Sequence, residues 1–137
     1  MFMKRILVID GQGGGVGRQL VKSIKEKVTN VTIIAIGINS IATSVMHKAG
    51  ADVIATGENA IIVNSKKVDI IVGPIGIILT DALCGEVTNK ISDAIATSSA
   101  KKVLIPFNNC DTIISGLSNT SINFLIDDTI KKINELI

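Results

Sequence analysis

Apolar residues gather along the chain in five short, nearly continuous runs, at residues 5–9, 31–36, 53–55, 68–72 and 103–105, with longer stretches of mixed polarity between them. Each run is rich in Ile, Val and Leu with little polar alternation, the pattern of strands buried on both faces. The stretches between them carry helical spacing. Val16, Leu20, Ile24 and Val28 recur every four residues while Lys22, Lys25, Glu26 and Lys27 take the other side, which predicts a helix with one face on a sheet. A second helix is expected from Ser40 as N-cap to Gly50 as the C-terminal glycine, with Ile41, Ala42, Val45 and Ala49 as its apolar stripe. A short third helix runs from about Glu58 to Ser65. Within residues 74–101 the spacing of Leu83, Val87, Ile91 and Ile95 predicts a helix plus a loop over the site. The last helix carries Ile122, Leu125, Ile126, Ile130, Ile133 and Ile137 on one stripe, and Asp127 and Asp128 precede Lys131 and Lys132 by one turn.

Strand and helix alternate throughout, so the expected class is α/β: one three-layer, Rossmann-like domain over residues 1–137 with a five-stranded parallel sheet. Right-handed crossovers give the strand order 3-2-1-4-5. The switch point, where ligands of such sheets bind, then lies between the first and fourth strands.

Composition narrows the class further. Hydrophobic residues make up 47% of the chain and charged residues 19%, and the aromatics are three Phe with no Tyr or Trp, so the core must be aliphatic. The longest nearly apolar stretch, residues 70–79, is interrupted by Gly73, Pro74 and Gly76 and is too short to span a bilayer. The N-terminus shows no signal-peptide cleavage pattern, and the expected location is cytoplasmic, with no membrane partner. Cys84 and Cys110 stand without a CxxC or a nearby His, so neither a zinc site nor a disulfide framework is expected, and both read as buried thiols. The net charge of +2 is scattered, which excludes the basic stripe of a nucleic-acid partner. The aliphatic excess fits a homo-oligomer interface.

The chemistry concentrates directly after the first strand, in Asp10, Gly11, Gln12, Gly13, Gly14, Gly15, Val16, Gly17 and Arg18, which lead straight into the first helix. A phosphate needs close backbone approach, free N–H groups and the positive end of a helix dipole, and glycines supply the first two. The GxGxxG register fails because Val16 or Arg18 stands where glycine is needed. The P-loop register fails because Arg18 and Gln19 replace its Lys and hydroxyl residue. GxxxGxG fits, with Gly11, Gly15 and Gly17.

That spacing resembles the cofactor loop of the short-chain dehydrogenases and implies NAD(P) or another nucleotide as ligand. The resemblance covers about the first third of the chain. It does not extend to that family's catalytic Tyr, and Asp10 replaces its usual Thr. Over nearly the full length, the segments VIDGQGGGVG, HKAGA, ATGENAI and VDIIVGPIGI resemble a small bacterial family of uncharacterised Rossmann-like proteins, which implies the fold and a nucleotide site but no reaction.

The second strand ends in Gly37, Ile38, Asn39 and Ser40. Asn39 is a candidate ribose ligand and Ser40 a candidate phosphate contact, yet no acid selects NAD and no cation selects NADP there, so poor discrimination is expected. Gly73 and Pro74 at the fourth strand's tip are placed beside the cofactor as a wall. Glu58 and Asn59 after the third strand, and Asn108, Asn109 and Asp111 after the fifth, form a possible second-ligand set, although capping and turn roles suit the same residues. Cys110 reads as a packed thiol and His47 as a surface residue off its helix stripe. The haloacid dehalogenase and receiver patterns both fail around Asp10. Three functions stay open: a nucleotide-binding module without chemistry of its own, a small enzyme such as an oxidoreductase with catalytic groups at the strand tips or from a partner, and an assembly subunit.

Overall fold

The computed structural model describes residues 3–107, 111–118 and 121–137. Strands β1 (Lys4–Asp10), β2 (Val31–Gly37), β3 (Val53–Thr56), β4 (Ile70–Pro74) and β5 (Lys101–Ile105) form one sheet in the order β3-β2-β1-β4-β5, parallel at every pairing. Helices α1 (Gly15–Lys27), α2 (Ser40–Lys48), α3 (Glu58–Asn64), α4 (Asn89–Ala96) and α5 (Ile122–Leu136) complete a three-layer Rossmann-like domain of the expected order. The period of two along a strand sorts the core into halves. Ile6 and Val8 of β1 join Leu20, Val21 and Ile24 of α1 and Ile130 and Ile133 of α5, whereas Leu7 and Ile9 face Ile61 of α3 and Ile91 and Ile95 of α4. Each such Ile or Leu contributes about 1.5–3 kcal/mol by leaving water. Asp10 follows in the Ile6 and Val8 row, which places its carboxylate under the first turn of α1.

Several local expectations change. Asn39, not Ser40, caps α2: its side chain accepts from Ala42 N at 2.9 Å. The buried face of α2 is Ala42, Thr43 and Met46, and Ile41 is 65% exposed. Thr43 tolerates burial because its Oγ1 accepts from Gly37 N (3.1 Å) and lies 2.8 Å from Thr56 Oγ1. Ile137 is exposed rather than part of the α5 stripe. The helix expected to include Leu83 and Val87 begins only at Asn89, after the N-cap Thr88. A 3-10 turn (Ile75–Ile78) and an irregular strap precede it. In that strap Asp81, Leu83 and Cys84 hold positive φ values of 68°, 55° and 56°, a conformation that costs an L residue about 1–2 kcal/mol and that periodicity does not reveal. Cys84 is exposed there, contrary to its reading as a buried thiol, and Cys110 lies outside the described residues. No helix among the described residues is long and apolar enough to cross a membrane.

Candidate functional site

Asp10 is the organising residue of the glycine loop. It is 5% exposed, and its two carboxylate oxygens accept from Gly11 N (2.8 Å) and Gly17 N (2.7 Å), bracing both ends of the loop. Burial pushes its pKa above the usual 3.8, the Gly17 and Gly11 amides oppose that rise, and nearby Glu86 adds to it. A carboxyl whose folded pKa is raised costs stability as pH climbs from the unfolded value through the folded one. The melting temperature of wild type relative to Asp10→Asn should therefore fall as pH is raised from about 3.8 toward neutrality; a relative rise would mean that the amides outweigh burial.

Gly14 caps α1 in the left-handed region (φ 73°), and a Cβ on it would lie 2.8 Å from Ala42 Cα. Its N–H donates to Gly11 O at 2.9 Å, closing a turn, and its carbonyl accepts from Arg18 N at 2.8 Å. Gly17 lets α1 approach β1, since a Cβ there would lie 2.6 Å from Met46 Sδ and 2.8 Å from Asp10 Cβ. Gly13 and Gly15 differ, because a Cβ on either would meet nothing within 4 Å. Helix geometry leaves the Gly15 and Val16 amides with no carbonyl to reach. Among the described residues neither they nor the Gly13 amide finds an acceptor.

These three residues line a cavity of about 250 Å³ at the switch point between β1 and β4. Its opposite wall is apolar, formed by Pro74, Leu83, Phe107 and Ile122, and Gln19 contributes a polar edge. No cation is among the described lining residues, so an anion there is met by amides and the α1 dipole. The volume is below the roughly 300–1,000 Å³ typical of drug-sized ligands.

The β2 side of the loop is closed. Glu86, carried by the strap, accepts from Gln12 N through Oε1 and from Asn39 Nδ2 through Oε2, both at 2.6 Å. Asn39 Nδ2 also donates to Gln12 O at 3.0 Å, and Gln12 Nε2 donates to Cys84 Sγ at 3.2 Å. Asn39 thus ties three elements together. Asn39→Asp would keep the α2 cap but remove the donor and set a carboxylate against Glu86. We expect it to lower stability by about 1–3 kcal/mol in denaturant unfolding; an unchanged midpoint would show that the tie carries little.

Of the residues singled out in the sequence, Gly11, Gln12, Gly13, Gly14, Gly15, Val16 and Pro74 line the cavity. Gly17 packs behind the loop, and Gly73 packs against Ile9 O. Arg18 points away, into a groove with Lys22, Lys25 and Lys48 between α1 and α2. Ser40 is exposed at the start of α2. Glu58 accepts from Thr88 Oγ1 at 2.6 Å, linking the starts of α3 and α4, and neither it nor exposed Asn59 lines the cavity. Asp111 is exposed and its Oδ1 lies 3.5 Å from Thr112 Oγ1; Asn108 and Asn109 lie outside the described residues. Sequence reasoning missed Glu86, Leu83, Phe107 and Ile122. The strap's backbone delivers the first two, and no local spacing marks them.

Fold and loop together define a Rossmann-like α/β domain with a glycine-loop cavity at its switch point. Residues 5–137 match the family model described as Domain of unknown function (DUF3842), and the chain belongs to that family. No curated protein matches it. Among solved structures it is similar to the dodecameric FMN-dependent UbiX-like decarboxylase from Escherichia coli O157:H7, with 19% identity and a TM-score of 0.47 over 96% of this chain and 77% of that one.

Proposed function

We propose that the chain is a binding module for a small phosphate-bearing nucleotide, with the phosphate on the amides of Gly13, Gly15 and Val16 and the adjoining ring against Pro74, Leu83, Phe107 and Ile122. The observation that carries this reading is that these three amides, unpartnered among the described residues, share one cavity with an apolar wall at the switch point. Binding is favoured over catalysis because, among the described residues, Glu58 is bonded to Thr88, Asp111 does not line the cavity, and Asp10, which does, has its two carboxylate oxygens taken by the Gly11 and Gly17 amides. The expected homo-oligomer is supported by edge strand β3, where Val53 and Ile54 are 50% and 38% exposed.

Native mass spectrometry of freshly purified protein, followed by calorimetric titration with FMN, nicotinamide mononucleotide and AMP, tests the proposal. The expected result is a co-purified phosphate-bearing ligand or saturable binding of at least one of the three. A protein that arrives bare and binds none of them would refute the module and favour the assembly reading.

A further inference from the structure

Resting on the nucleotide reading above, we infer that Glu86 is the specificity-determining residue of the site: its bridge to Gln12 and Asn39 excludes the second half of a dinucleotide and restricts the cavity to mononucleotides. In a doubly wound sheet a dinucleotide crosses the switch point and lays its adenosine half over the tip of β2. Here that passage runs between the glycine loop and Asn39, the second residue after β2. The Glu86 carboxylate fills it, held at 2.6 Å by donors on both banks.

The closure is tight. A Cβ built on Gly11 would lie 3.1 Å from both Glu86 Oε1 and Leu83 Cδ1, so the strap rests directly on the loop. Charge reinforces shape, since a ribose phosphate entering there would meet a carboxylate with no described cation bonded to it. The strap cannot drift aside without cost. Asp81 N donates to Val87 O (2.7 Å), Glu86 N to Leu83 O (3.1 Å) and Val87 N to Ala82 O (3.2 Å), and these bonds hold the left-handed residues Asp81, Leu83 and Cys84 in place. The cavity is lined by Gln12 and by Leu83 of the strap but by neither Glu86 nor Asn39, so a mononucleotide there lies beside the bridge and not across it.

The test takes a mononucleotide that wild type binds and a dinucleotide that contains it, nicotinamide mononucleotide with NAD, FMN with FAD or AMP with NAD, and compares the two on wild type, Glu86→Ala and Glu86→Gln. Calorimetry gives the affinities, and NMR exchange of the Gln12 amide reports whether the bridge has opened. Wild type should bind the mononucleotide and bind the dinucleotide at least tenfold more weakly. Glu86→Ala should bring the two affinities within about threefold of each other and accelerate Gln12 exchange, while its circular dichroism spectrum stays native. Glu86→Gln keeps the bulk and loses the charge, so it should narrow the gap only partly. Wild type that binds both ligands equally, or a gap that persists in Glu86→Ala although Gln12 exchange has accelerated, overturns the gate alone. Wild type that binds none of the three mononucleotides overturns the nucleotide reading and the gate with it.

Discussion

Gly15→Leu is expected to fold as wild type does and to weaken mononucleotide binding at least 100-fold, about 2.7 kcal/mol. The side chain would emerge where nothing lies within 4 Å, into the space assigned to the phosphate, and leucine is at ease in a helix. Gly17→Leu separates binding from folding, because there even a Cβ comes within 2.8 Å of β1 and 2.6 Å of Met46 Sδ. That variant should lose the α1 packing itself and unfold at a much lower temperature. Circular dichroism and calorimetry on the pair decide the matter. Native Gly15→Leu with undiminished affinity would remove the phosphate from the loop.

Asp10→Ala should have the second largest effect. It leaves the amides of Gly11 and Gly17 without their acceptor, at about 1–3 kcal/mol for each buried group. Relief of a buried carboxyl offsets part of that cost, so a net loss of roughly 2 kcal/mol and a melting temperature lower by on the order of 10 °C are expected. Hydrogen exchange should show the loss centred on the loop and the first turn of α1. A variant as stable as wild type, with both amides still protected, would mean that Asp10 does not brace the loop.

How much of this was legible in the sequence depends on which residues are asked about. Strand runs such as 31–36 and the long stripe of α5 could be read because burial on both faces, or on one helical face, dominates the choice of residue there. The strand order followed from crossover handedness, and the glycine loop that leads into α1 was marked by its five glycines. The stripe of α2 misled because Ile41 is exposed while Thr43 is buried with its hydroxyl bonded, and hydrophobicity alone ranks those two the other way. The strap misled more. Leu83 has helical spacing with Val87, yet left-handed backbone turns it onto the glycine loop and brings Glu86 to a partner 74 residues away. The apparent lack of an acid near the end of β2 has the same origin, for a carboxylate does stand beside Asn39 but comes from the connection between β4 and α4.

The central claim is that the amides of Gly13, Gly15 and Val16 hold a phosphate. The most direct measurement is a titration of isotopically labelled protein with FMN, nicotinamide mononucleotide and AMP, followed by amide NMR. At least one ligand is expected to produce saturable shifts largest at Gly13, Gly15 and Val16, with a second group at Leu83, Phe107 and Ile122 on the apolar wall. Saturable shifts confined to the Arg18, Lys22 and Lys48 groove, or none at the loop with any of the three, would contradict it.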